Sequence, residues 1–152
     1  MKQYISTSEE ETRKIARQLG KEIKTGVIAL TGELGAGKTT FVQGFAKGLG
    51  IKDKIISPTF VLIRQHKFGA RILYHIDLYR LERIKNIKQL GIEEIISNPD
   101  NLVLIEWAEK IKNYLPKETT WINLEKINEN ERLITVSWFL SQSGRPSLFR
   151  LL

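Results

Sequence analysis

The sequence contains no cysteine, four prolines, one methionine and two histidines in 152 residues. Without cysteine there is no disulfide framework, no thiolate zinc site and no cysteine nucleophile. His66 and His75 alone argue against a nitrogen-ligated metal cluster, so any metal has to be held by oxygen. No stretch approaches the roughly 18 consecutive apolar residues of a membrane-spanning helix, and Met1-Lys2-Gln3-Tyr4 is not followed by the apolar block of a signal peptide. These absences lead to the expectation of a cytoplasmic chain without membrane contact. There are no internal repeats or low-complexity segments either.

What is present fits a folded, water-soluble domain: 41% hydrophobic and 27% charged residues lie near globular averages. The length suits a single domain over residues 1–152, with 141–152 expected to be a loose tail ending in an apolar tag. The formal charge of +7 and a pI near 9.7 fit contact with a polyanion through counterion release. The lysines are scattered along the chain, from Lys14 to Lys112, and such scatter is equally what solvated faces produce. Charge alone decides nothing.

Thr7 followed by Glu10 reads as a capping box, and Ile15, Leu19 and Ile23 recur every four residues, predicting a first helix that runs to about Lys24 and ends at Gly26. Val27–Leu30 is a short apolar run, a likeness to a buried strand; Phe41, Val42, Phe45 and Leu49 then recur with helical spacing up to Gly50. After the polar turn Ser57-Pro58-Thr59, Phe60–Gln65 and Arg71–Ile76 read as a hairpin around Gly69. A helical stretch with Ile84, Ile87 and Ile95 is interrupted by Gly91. Leu102–Ile105 has the continuous apolarity of a buried strand, and a short helix then stops before Pro116. Trp121–Ile127 and Leu133–Phe139 flank Asn128-Glu129-Asn130 as a closing hairpin.

Between the first apolar run and the second helix lies Gly32-Glu33-Leu34-Gly35-Ala36-Gly37-Lys38-Thr39, which meets G-x-x-x-x-G-K-[ST] at every fixed position, with Thr40 extending it. Gly35 and Gly37 let the backbone curl so that successive N–H groups converge on one spot, and the following helix adds its positive end. Lys38 then neutralises the β- and γ-phosphates and the Thr39 hydroxyl is placed for Mg²⁺. The ion also needs a carboxylate at a neighbouring strand end. Glu106, after the more apolar run, is the better candidate, leaving Asp77 to orient the attacking water or a metal-bound water. There is no N-K-x-D run to read guanine and no D-x-x-G, so elimination favours ATP. Thr7, Ser8 and Glu9 either approach the base or simply cap the first helix.

Four blocks, GELGAGKTT at Gly32–Thr40, Ser57-Pro58-Thr59-Phe60, His75-Ile76-Asp77-Leu78-Tyr79-Arg80-Leu81 and Ile105-Glu106-Trp107, resemble the TsaE (YjeE) ATPases of bacterial N6-threonylcarbamoyladenosine synthesis on tRNA. The resemblance spans about residues 5–125, and the HxDxYR block with a later EW is its specific part. It implies a P-loop NTPase-like α/β domain whose mixed, mostly parallel sheet is flanked by helices. It also implies an Mg-dependent ATPase that is weak alone and works with TsaB-like and TsaD-like partners in modifying adenosine 37 of tRNA, which it meets indirectly through that complex. In those terms Leu34, Gly35, Ala36, Gly37, Lys38, Thr39 and Thr40 hold the phosphates, Thr39 and Glu106 the Mg²⁺, and Asp77 assists hydrolysis. Ser57 and Thr59 form a switch-like segment sensing the γ-phosphate. Trp107 and Glu109 lie near the nucleotide and Glu9 near the base.

The chain departs from the family in one place: where relatives carry an acidic pair after Tyr79-Arg80-Leu81, it has Lys85 and Asn86, which weakens the case for a partner contact through negative charge there. His75 reads as either a packed or a catalytic histidine. Arg80 reads as a charge-stabilising arginine or an ion-pair partner, and Trp107, Trp121 and Trp138 as core residues or ligand stackers. Two rival functions share the motif. A small-molecule or nucleoside kinase needs an acceptor pocket and an arginine-rich lid, and no such lid is visible after Leu102. A nucleotide-gated RNA-binding module needs stacking aromatics and a basic stripe, which are not evident.

Overall fold

The four inner residues of β2 (Gly26–Thr31) meet a core on each side: Ile28 and Leu30 face one apolar cluster, Val27 and Ala29 the other. Strict alternation along an almost wholly apolar strand is what a central parallel strand requires. The computed structural model describes residues 1–57 and 62–138. Around β2 it builds a seven-stranded sheet from β1 (Lys2–Ser6), β3 (Ile63–Phe68), β4 (Arg71–Asp77), β5 (Leu102–Glu106), β6 (Thr120–Lys126) and β7 (Arg132–Ser137), in the order β1-β7-β6-β2-β5-β4-β3. The four inner strands β6, β2, β5 and β4 run parallel, while β3, β7 and β1 pair antiparallel with their neighbours. β1, two pairings out from β6, therefore points with the inner four, so five of the seven strands share one direction and the sheet is mixed.

Helices cover both faces. On one lie α1 (Glu9–Glu22) and α2 (Lys38–Gly48), with Ala16, Leu19, Phe41 and Phe45 packed on Leu73, Leu102 and Leu104. Phe41 and Phe45 are fully buried and stacked with centroids 6.4 Å apart, each worth about 1.5–3 kcal/mol of burial. On the other face α3 (Asn86–Gln89), α4 (Ile92–Ser97) and a 3₁₀ segment (Ala108–Tyr114) bring Ile87, Ile92, Ile96 and Ile111 against Ile76, Val103 and Ile105.

α1 and α2 meet backbone to backbone. A Cβ added at Gly20 would stand 2.2 Å from the Phe45 carbonyl oxygen, at Gly44 2.4 Å from that of Arg13, and at Gly48 2.1 Å from that of Arg17. This contact holds residues 13–20 of α1 against residues 44–48 of α2.

Most elements fall where the sequence puts them, with four differences. β1 was not expected; it is an edge strand that pairs with β7, residues 132–136. The helix cap is one residue later than Thr7/Glu10: Ser8 Oγ accepts from the Glu11 amide at 3.1 Å, and the Glu11 carboxylate accepts from the amide and hydroxyl of Thr7 at 2.6 Å each. α1 ends at Glu22, and Gly26 already belongs to β2. β3 begins at Ile63, while residues 60–61 of the predicted strand, Thr59, and the tail expected at 141–152 lie outside the described residues. Trp121 and Trp138 are partly buried against the two cores, as packed residues. Among the described residues no helix is long and apolar enough to cross a membrane.

Candidate functional site

β2 ends at Thr31 and the chain reverses through Gly32–Gly37 into α2. Gly32 has φ 140°, and a Cβ there would meet the Leu124 carbonyl oxygen at 2.3 Å, so the loop can follow this path only without a side chain. Gly35 and Gly37 are left-handed, at φ 80° and 101°, with open space around Gly35. Gly37 caps α2 without a side-chain bond, leaving the first amides of the helix to an outside acceptor. Such a loop is a concave set of N–H donors at a positive helix end.

Lys38, only 6% exposed, donates to the carbonyls of Gly32 at 2.5 Å and Glu33 at 2.9 Å, and its ammonium stands 4.0 Å from the centre of the Trp107 ring. Burial lowers its pKa, against the pull of Glu106, Glu109 and Asp77, which raise it. An ammonium desolvated in this way gains by meeting an anion. Trp107 has φ 59°, the only positive φ outside glycine among the described residues, and its ring also lies 5.2 Å from that of Tyr79.

The two carboxylates close the site. Asp77 and Glu106 end adjacent parallel strands and are direct register partners, so both side chains leave the sheet on the α2 face; each is 3% exposed. Glu106 Oε2 accepts from the Thr39 hydroxyl at 3.4 Å, and its Oε1 lies 2.8 Å from His75 Nε2. Asp77 accepts from the Ser57 hydroxyl at 2.5 Å and from the Tyr79 amide at 2.9 Å. No group of three His, Cys, Asp or Glu side chains among the described residues forms a complete metal cage. A hydroxyl with one or two carboxylates instead suits a hard cation such as Mg²⁺, which keeps waters and takes its remaining ligands from phosphates.

These groups share one cavity of about 680 Å³. Its floor is the run Leu34, Gly35, Gly37, Lys38, Thr39 and Thr40; Ser57, Asp77, Glu106 and Trp107 form one wall. Glu9 also lines the cavity, 74% exposed at its side chain and paired with Arg13 at 3.3 Å. Ala36 contributes differently: its side chain is buried, and its carbonyl accepts from Arg132 Nε at 3.1 Å. Glu109, in the 3₁₀ segment, reaches the site through its charge on Lys38. Sequence reasoning missed Glu129, Asn130 and Arg132, which also line the cavity. The first two were read only as turn residues, and no local pattern marks an arginine that props a loop 96 positions earlier. Arg80 is exposed in the turn after β4.

The model of the family described as "Threonylcarbamoyl adenosine biosynthesis protein TsaE" matches residues 6–134. The tRNA threonylcarbamoyladenosine biosynthesis protein TsaE of Rickettsia felis is 41% identical over 150 residues, covering 97% of this chain and 85% of that protein. Its namesake in Bacillus subtilis is 41% identical over 133 residues, covering 87% and 82%. The crystal structure of Bacillus subtilis YdiB superposes with a TM-score of 0.76 at 36% identity, covering 90% of this chain and 84% of that one. On this agreement of family model, relatives and fold, the chain belongs to the TsaE family.

Proposed function

We propose that the chain is a single P-loop NTPase-like domain that binds Mg·ATP in this cavity and hydrolyses it slowly, serving in the cytoplasm the threonylcarbamoyl modification of a tRNA adenosine. The observation that carries the reading is the convergence of Lys38, Thr39, Asp77 and Glu106 on one cavity floored by the glycine-rich loop. Membership of the TsaE family and the names of the relatives support the pathway. TsaB-like and TsaD-like proteins are the partners in this reading, with tRNA met through them.

Residues Leu34–Thr40 present backbone amides to the phosphates, and Lys38 turns from the carbonyls of Gly32 and Glu33 toward them. Thr39 and Glu106 hold the Mg²⁺, which when bound offsets the charge of the phosphates and aligns the terminal one. Asp77 accepts a proton from, or orients, the attacking water; its bond from Ser57 ties that carboxylate to the switch-like segment that continues to Thr59. Trp107 and Glu109 bound the phosphate end, and Glu9 is near the base.

Phosphate release with Mg·ATP, measured alone and with TsaB-like and TsaD-like partners, and beside a panel of kinase acceptors, tests the proposal. Slow release that the partners stimulate is expected. Stimulation by an acceptor instead makes the chain a kinase.

A further inference from the structure

His75 is the one fully buried imidazole at the site, and the roles given above to Thr39, Asp77 and Glu106 leave it unused. It stands opposite Leu104 in the β4–β5 ladder, so Glu106, two residues further on, is its diagonal neighbour on the same face. The Glu106 side chain leans back across that diagonal to bring Oε1 within 2.8 Å of His75 Nε2. Its other oxygen is the one facing Thr39, at the longer distance of 3.4 Å. The carboxylate is thus gripped at one oxygen and presented at the other.

The environment also selects the tautomer. His75 Nδ1 is buried with no hydrogen-bond partner, so a proton there would be a stranded donor, whereas a proton on Nε2 meets the carboxylate. The His66 ring packs beside it at 6.3 Å, with its own Nε2 also lacking a partner, and so walls the imidazole without competing for its proton. Metal-binding carboxylates are commonly held by such outer hydrogen bonds, which fix the direction of the free lone pairs.

We propose that His75 is a positioning residue: with its proton on Nε2 it fixes Glu106 so that Oε2 points to the Thr39 hydroxyl, with which it would hold the Mg²⁺. This rests on the proposed Mg·ATP site and deepens it. Neither a packed spacer nor a proton-transfer group describes it, because its partner is the carboxylate and not the cavity.

Two variants separate positioning from packing. His75→Leu fills the space without a donor; His75→Gln places an amide N–H near the position of Nε2. Binding of a non-hydrolysable ATP analogue is titrated calorimetrically with magnesium and with chelator. For His75→Leu the Mg²⁺ needed for tight binding is expected to rise roughly 10–100-fold, with metal-free affinity unchanged, and His75→Gln is expected to recover most of the loss. Equal Mg²⁺ dependence in wild type and His75→Leu overturns the proposal, as does an equal loss with and without metal. Should the leucine variant not fold, ¹⁵N resonances of the wild-type ring decide without any substitution: protonated Nε2 and bare Nδ1 are expected, and the opposite tautomer overturns it. A wild-type chain indifferent to magnesium brings down the proposed function itself, a failure seen before any variant is made.

Discussion

Replacing Gly44 by alanine tests whether the α1–α2 contact sets the stability of the domain. The new Cβ would sit 2.4 Å from the Arg13 carbonyl oxygen, 2.7 Å from its Cα and 2.9 Å from its carbonyl carbon, against the 3.4–4 Å of ordinary contact. Ordinary contact therefore needs the helices about 1 Å further apart at this point, and because every obstructing atom is backbone, no rotamer change relieves the clash. Overpacking of this kind costs about 1–3 kcal/mol, while alanine returns about 1 kcal/mol of helix propensity over glycine. With three backbone atoms inside 3.0 Å the upper half of that cost applies, about 2–3 kcal/mol, so a net loss of about 1–2 kcal/mol is expected, which at about 2–4 °C per kcal/mol lowers Tm by about 2–8 °C. Denaturant titration should show a lower midpoint with an unchanged slope. Gly20 and Gly48 add an internal control: each one's added Cβ would approach the other's Cα, at 3.2 and 3.0 Å, so their double alanine variant should lose less than the sum of the singles. An alanine at Gly44 that leaves the protein as stable as before, or more so, refutes the close-approach argument and leaves propensity in charge.

Lys38→Ala should weaken ATP binding about 100-fold or more, since two charge-assisted hydrogen bonds of about 1.5–3 kcal/mol each are lost; equilibrium calorimetry reads this directly. Asp77→Ala should keep nucleotide affinity and lose about 10²–10⁴-fold in turnover, measured as phosphate release with partners present, and an unmutated rate removes Asp77 from its role. His66, whose pKa burial lowers from 6.5, gives up its proton on folding in the pH range just below that value. The unfolded chain then binds more protons just below pH 6.5, so stability is full above that pH and declines as pH falls toward the lower folded value. His66→Phe should flatten that decline in pH-dependent denaturation curves, and an unaltered slope assigns it elsewhere.

Much of this arrangement was legible because it rests on local chemistry. The strand, glycine loop and helix of residues 26–48 announce themselves by pattern and motif, and both Asp77 and Glu106 could be seen to end apolar runs. That the two are register partners could not be seen, since strand order is a property of the whole sheet. β1 escaped notice because its five residues are mostly exposed and become a strand only by pairing with β7. The cap shifted by one residue because Thr7/Glu10 and Ser8/Glu11 both satisfy the same pattern, and only backbone geometry chooses between them. The spacing of Gly44 and Gly48, one helical turn apart, did carry a signal of close approach that a reading for apolar periodicity passes over. Nothing local foretells the left-handed backbone of Trp107.

The bond from Arg132 to the Ala36 carbonyl has a bearing on how the protein is born. On a ribosome, residues 26–48 emerge early and can coil into strand and helix, yet the brace for their loop is translated 96 codons later, with the strand that β1 also awaits. A nascent chain thus carries its glycine-rich loop well before it carries the side chain that braces it.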